Sequence, residues 1–190
     1  MMKKFAFALS ALLAMTAAQA QSASYAIDPT HSFVTFEVNH FGTSTNRGRF
    51  DKKEGSIQFD RAGKTGRVDI TLHTSSINTG VAPFEAHLKS KDFFNAAEFP
   101  TARFVSERLV FSGDKVSEVL GNLTLLGKTQ PVTLKARLFN CYTSPLLKRE
   151  VCGGDFETTI DRTHWGMNTY VPAGQRGEVR LLIQVEAIRQ

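Results

Sequence analysis

The chain has 190 residues, 42% of them hydrophobic, and a formal net charge of +5. That length suits one ordinary domain with a substantial core. Its basic residues are scattered, apart from Lys148-Arg149 and the Arg47/Arg49 pair, so a nucleic-acid partner, which needs a continuous basic stripe, is not expected.

In chain order, the first element is a targeting segment. Lys3 and Lys4 precede an apolar run from Phe5 to Ala17, and Ala18-Gln19-Ala20 makes a small-x-small cleavage site. This reads as a secretory signal peptide over residues 1–20, its apolar run too short to span a bilayer. Residues 21–190 are then the mature domain, expected to be periplasmic or secreted. Loss of the two lysines lowers its formal charge to +3. No cysteine follows the cleavage site, so no lipid anchor is expected there.

Alternation dominates the mature chain. Val34, Phe36 and Val38 share one face, as do Ile57 and Phe59, then Val68, Ile70 and Leu72. Past Pro100 come Val119, Leu123 and Leu125, then Val132, Leu134, Ala136 and Leu138, then Phe156 and Ile160, and finally Val179 to Ala187 on alternate positions. Arg61-Ala62-Gly63, Ser112-Gly113-Asp114, Leu126-Gly127-Lys128 and Cys152-Gly153-Gly154 read as turns. About eight strands on short turns predict an antiparallel sheet curled into a barrel or sandwich. The outward positions, such as Asp69, Thr71, His73, Arg180, Gln184 and Glu186, are polar, the reverse of a membrane barrel.

One segment departs from the pattern. Between Ile77 and Pro100, Phe84 and Leu88 stand four apart as on a helix, followed by Phe93, Phe94 and Phe99. A helical excursion near residues 81–97 is expected. The chain holds fifteen Phe against one Trp and three Tyr, a choice that supplies apolar area with no polar group to satisfy. A barrel of about eight strands either fills its interior or holds one small ligand, and such an excursion suits the mouth of a cavity.

No catalytic or metal motif stands out. His31, His40, His73, His87 and His164 show no metal-ligand spacing, and neither a nucleophile elbow nor a phosphate loop is present. Glu157 and Asp161 read as solvated charges. No catalytic cofactor is expected. Cys141 and Cys152, an even count in an exported chain, predict a disulfide across a hairpin loop, which is expected to lie apart from any interior site.

The stretches DPTHSFVTFEVNHFG (28–42), HLKSKDFFNAAEFPTARFVS (87–106), GNLTLLGKTQPVTL (121–134) and IDRTHWGMN (160–168) together resemble the YceI-like family of exported bacterial proteins. The resemblance spans essentially the whole mature chain, and the cysteine pair is similar to the family's disulfide-bearing branch. It implies an extended lipocalin-like antiparallel barrel that binds, rather than transforms, a polyisoprenoid or an isoprenoid quinone such as ubiquinone. Contact with the ligand is implied for the strand positions Phe36, Val38, His40, Ile70, Leu72, Phe104, Leu123, Leu125 and Leu134. The excursion would add Phe84, Leu88, Phe93, Phe94 and Phe99, and the DRTHWGM segment Trp165 and Met167. Where the family often carries an Arg-Asp pair ahead of the histidine, this chain has Phe84-Glu85-Ala86, which favours a neutral quinone head over a pyrophosphate. Transient membrane contact for loading is implied, with the oligomeric state left open and a dimer one option. The alternatives are an enzyme acting on a lipid or isoprenoid, and an interaction module with a fully packed barrel.

Overall fold

The structure is a computed structural model and describes residues 22–190; the expected signal peptide, residues 1–20, and Gln21 lie outside the described residues. Eleven strands form a single antiparallel sheet: β1 (Ala23–Ile27), β2 (Phe33–His40), β3 (Ser44–Phe50), β4 (Lys53–Asp60), β5 (Thr65–His73), β6 (Ile77–Asn78), β7 (Thr101–Ser112), β8 (Lys115–Leu125), β9 (Lys128–Thr143), β10 (Glu150–Asp161) and β11 (Glu178–Arg189). One helix, α1 (Ala82–Lys89), interrupts them within the expected excursion. Eight strands close a barrel in the order β1-β4-β5-β7-β8-β9-β10-β11, with β11 returning to β1.

The barrel is extended because the sheet forks along β11. Its end, Ala187 to Arg189, pairs with β1, whereas Arg180 to Gln184 pair with β2. Between the branches the Ser32 hydroxyl, 3% exposed, donates to the Glu186 carbonyl (3.0 Å) and accepts from the Glu186 N–H (3.1 Å). The Glu186 carbonyl also accepts from the Asp28 N–H (2.8 Å), so at the fork Ser32 supplies the acceptor for the Glu186 N–H and a second donor to its carbonyl. From β2 the sheet runs on through β3 to β6, so one half of the barrel is walled by β1 and β4 and the other by β2, β3 and β6. Strand β3, STNRGRF, is polar and shows no alternation. Its Gly48 lets the Phe36 ring lie across the sheet, since a Cβ there would meet Phe36 Cζ at 2.4 Å.

Two expectations from alternation are corrected by β9 and β10. Cys152-Gly153-Gly154 is not a turn but lies inside β10. Its glycines let both neighbouring strands close in: a Cβ on Gly153 would sit 2.0 Å from the Val185 oxygen, and one on Gly154 1.9 Å from that of Leu138. Leu138 is not an inward residue either. The ladder steps from Phe156↔Ala136 to Asp155↔Leu138, leaving Arg137 as an extra residue on β9. Beyond this bulge the faces exchange, so Leu138 is 56% exposed and Phe139 points inward.

Candidate functional site: an apolar tunnel

The barrel interior is not filled. An upper cavity of about 160 Å³ lies between β1, β4 and the ring strands, and a lower one of about 380 Å³ lies under β2, β3 and α1. Val34, Leu72, Ala102, Leu123 and Leu181 line both, so the two compartments adjoin at an apolar waist formed by these five side chains. The upper compartment is stopped by aromatic rings. Phe59 stacks on Phe111 (centroids 6.1 Å apart) and meets Phe139 and Tyr25 edge-on (5.7 and 6.3 Å). Here Tyr25 is hydrogen-bonded to the Glu150 carboxylate, and its hydroxyl is pushed up to about 12, by burial first and then by Glu150.

The lower compartment owes its shape to the excursion. Pro83 opens α1, and the Glu85 carboxylate accepts from the N–H groups of Thr79 (2.9 Å) and Gly80 (3.1 Å), holding the approach to the helix. Phe84 and Leu88, one turn apart, then face the cavity. After α1 the chain turns back on itself, with Phe93 N–H bonded to the Ser90 carbonyl and Phe94 N–H to that of Leu88. The adjacent rings reach different neighbours. Phe94 meets Phe50 of β3 edge-on at 5.5 Å; Phe93, 8% exposed, packs against His87 (4.9 Å) and beneath the Arg162 guanidinium (5.7 Å). Arg162 is itself 3% exposed and donates to the carbonyls of Met167 (2.8 Å) and Thr169 (2.7 Å). Burial lowers its pKa, yet an arginine stays charged, so the cavity wall carries one cation bonded to neutral oxygens. His40, Asn46, His87, Tyr170 and Gln175 complete a polar fringe on an otherwise apolar compartment.

Most of the residues expected from sequence stand on this wall. Ile70, Phe104 and Leu134 line the upper compartment, and Leu72 and Leu123 the waist. Phe36, Val38, His40, Phe84, Leu88, Phe93, Phe94, Leu125 and Met167 line the lower. Phe99 and Trp165 do not. Phe99 sits under the β8–β9 turn, where a Cβ on Gly127 would touch its ring at 3.1 Å, and its carbonyl accepts from the fully buried Thr74 hydroxyl (2.8 Å). Trp165 is 2% exposed behind the wall, its indole N–H donating to the Leu123 carbonyl (3.1 Å). Both hold the wall from outside rather than form it.

The disulfide also stands elsewhere than expected. Cys141 and Cys152 are bridged across paired positions of β9 and β10, and Cys152 and Gly153 line the upper compartment, so the staple belongs to the tunnel wall. Sequence reasoning missed Phe50, Arg162, Tyr170 and Gln175. Phe50 ends a polar strand, and Arg162 reads as an ordinary surface charge beside Asp161.

The chemistry of the arrangement is that of a solvent for hydrocarbon. Among the described residues no cluster of three or more His, Cys, Asp or Glu could hold a metal ion. Glu157 pairs with Arg137 and Arg180 outside the barrel (3.2 and 2.7 Å), while Asp161 accepts from the Thr163 N–H and hydroxyl at the start of a short helical turn. These carboxylates serve the fold's exterior.

Comparison with known proteins agrees with the architecture. Residues 25–187 match the model of the YceI-like domain. A UPF0312 protein of Pseudomonas paraeruginosa is 38% identical, with the whole of both chains covered, and Protein YceI of Salmonella arizonae is 37% identical over 97% of this chain and 96% of its own. Among solved structures, BcnA of Burkholderia cenocepacia superposes with a TM-score of 0.70 at 24% identity, covering 84% of this chain and 98% of its own. A domain of Saccharophagus degradans described as polyisoprenoid-binding, and implicated in plant cell wall breakdown, superposes with a TM-score of 0.64 at 16% identity, covering 88% and 99%. With its family model matched from the first strand to the last, and full-length relatives above one-third identity, the chain belongs to the YceI-like family.

Proposed function

We propose that the protein binds a long apolar isoprenoid lipid in the tunnel and carries or stores it across an aqueous compartment. The observation that carries this reading is the waist: two apolar cavities lie against one another, sharing five lining side chains that bear no polar atom. A packed interaction module would have filled that space. The polyisoprenoid-binding description of the Saccharophagus degradans domain supports the same ligand class.

The compartments suit different parts of such a ligand. The lower one lies within the ~300–1,000 Å³ of sites that hold small organic groups, and it is the larger of the two, with His40, Asn46, His87, Tyr170 and Gln175 on its lining. The upper one is narrower and has Ser32, Lys53 and Gln184 on its own. The head is placed there and the chain through the waist into the narrow upper compartment. Phe84 stands in the cavity wall where the family often places an arginine, and the buried Arg162 is already bonded to two carbonyls. Both features favour a neutral head such as a quinone, ubiquinone being the example, over a pyrophosphate. The role is binding without turnover and without a catalytic cofactor. The location is the periplasm, or the exterior after secretion, with transient membrane contact for loading.

The test is extraction. Protein purified from its native compartment is denatured, extracted with organic solvent and the extract analysed by mass spectrometry. An isoprenoid in near-stoichiometric amount is expected; protein that yields none, and takes up none when offered ubiquinone, overturns the reading.

A further inference from the structure

The large apolar side chains that the described residues leave exposed fall into two groups. Leu138, Tyr142, Leu146 and Leu147 lie on the β9–β10 hairpin, at the end of the barrel that the Phe59 cluster stops. Phe41 and Tyr170, 47% and 46% exposed, lie at the opposite end, and Val81, 54% exposed, immediately precedes α1. Phe41 and Tyr170 each also line the lower compartment, so both stand where it meets solvent.

These two aromatics share a second property. Phe41 has φ 50° and Tyr170 φ 64°, the left-handed region that bulky residues avoid and that Asn or Gly occupies at little cost. Phe41 and Gly42 are the central residues of the turn that returns β2 to β3, closed by Thr43 N–H on the His40 carbonyl (3.0 Å), with φ positive at both. Asn-Gly is the favoured pair for such a turn. Tyr170 is held in place by its hydroxyl against His87 Nε2 (3.2 Å) and by its ring against Phe93 (6.2 Å). Its loop is tied to the excursion by the Thr169 hydroxyl, which donates to the Asp92 carbonyl (2.6 Å). Each position therefore costs twice, in backbone strain and in exposed ring, although a cheaper residue exists. Tyr170 recovers part of that cost through His87 and Phe93; Phe41, edge-on to His40 at 5.1 Å, is the cheaper of the two to replace.

We infer that Phe41 and Tyr170 form a rim that sits on an anionic phospholipid surface, so that the lower mouth opens directly onto the membrane. An aromatic ring half in water is at its best at the lipid interface. Lys89 and Lys91 lie in the sequence between the His87 and Phe93 that hold Tyr170, and supply the charge that anionic headgroups attract; Asp92 is the carboxylate beside them. The inference rests on the carrier reading in one respect. An isoprenoid chain drawn through water would lose its hydrophobic free energy on the way, so a mouth pressed to lipid is the route that avoids it.

Phe41→Asn with Tyr170→Asn removes both rings while suiting the backbone; because Tyr170 also packs on Phe93 and bonds His87, Phe41→Asn alone is measured beside the pair. Delipidated protein is sedimented with phosphatidylcholine vesicles containing phosphatidylglycerol and doped with a ubiquinone; the bound fraction and the quinone acquired are measured beside the thermal midpoint. For the double variant, vesicle binding is expected to fall about tenfold and uptake to slow in parallel, and for Phe41→Asn alone both should fall in the same direction with the midpoint holding. The inference is overturned if the wild type does not sediment, if the rim variant binds and loads normally, or if Leu146→Ser with Leu147→Ser is the pair that abolishes binding. Concentration-dependent dimers lost on the rim substitutions, without vesicle binding, would assign the face to a second copy instead and overturn it too. Rim-dependent vesicle binding with no quinone acquired would support the docking surface while sinking the carrier reading.

Discussion

Phe93 and Phe94 are adjacent in sequence and chemically identical, and the structure gives them different work. Phe93 is buried between His87, Tyr170 and the Arg162 guanidinium, so its ring anchors the excursion. Phe94 is only half-buried and meets Phe50 across the lower compartment. Phe93→Ala is therefore expected to cost the ~3–5 kcal/mol of a core phenylalanine. Phe94→Ala enlarges a cavity that already exists and should cost well under ~3 kcal/mol, yet weaken lipid retention. Denaturant midpoints of both variants, with the lipid co-purified, check the pair; equal losses of stability would remove the distinction. The sequence allows this asymmetry without assigning it, because nothing local says which ring meets an arginine sixty-nine positions later. Trp165 teaches the same lesson in reverse. Its indole found the polar partner that its chemistry demands, but behind the wall rather than on it.

At the scale of elements, periodicity was legible wherever a strand keeps one face throughout. Val68, Ile70 and Leu72 of β5, and Val179 to Ala187 of β11, point inward as alternation requires. It failed where the backbone changes phase. The bulge at Arg137 exchanges the faces of β9, and β3 takes its place through pairing with β2, with hardly an apolar residue until Phe50. The glycines of β10 look like a turn because the strands that crowd them are distant in sequence. The β9–β10 hairpin has a consequence for stability and ligand together. Its disulfide spans a sequence separation of 11, and in the chain-entropy account such a staple contributes about 2–3 kcal/mol. Because Cys152 lines the upper compartment, Cys141→Ser with Cys152→Ser should lower both the unfolding midpoint and the amount of isoprenoid retained. Reduced stability with undiminished retention would place the bridge outside the ligand's reach.

For the whole molecule, the fork at β11 decides what kind of container the barrel is. One end is stopped by the Phe59 cluster and the other is fringed by His40, His87 and Tyr170, so the space for a chain has a fixed length. Inside it, a five-carbon unit gains on the order of 3–4 kcal/mol over water, at about 0.8 kcal/mol per methylene, but the same unit gains nearly as much in a bilayer. The exchange between membrane and protein is thus close to neutral per unit, which suits loading and release rather than capture. Partition of a homologous series of isoprenoid quinones between protein and vesicles should therefore be almost flat in chain length while the chain fits. Beyond the tunnel's length each further unit must lie in water or stay in the bilayer, and partition into the protein should fall steeply, by up to the same 3–4 kcal/mol per unit for a chain forced into water. Measuring quinone content after equilibration with doped vesicles, one chain length at a time, reads both regimes. A partition that climbs steadily with every unit would mean that the wall binds the chain better than lipid does, and the protein would then be a trap rather than a carrier.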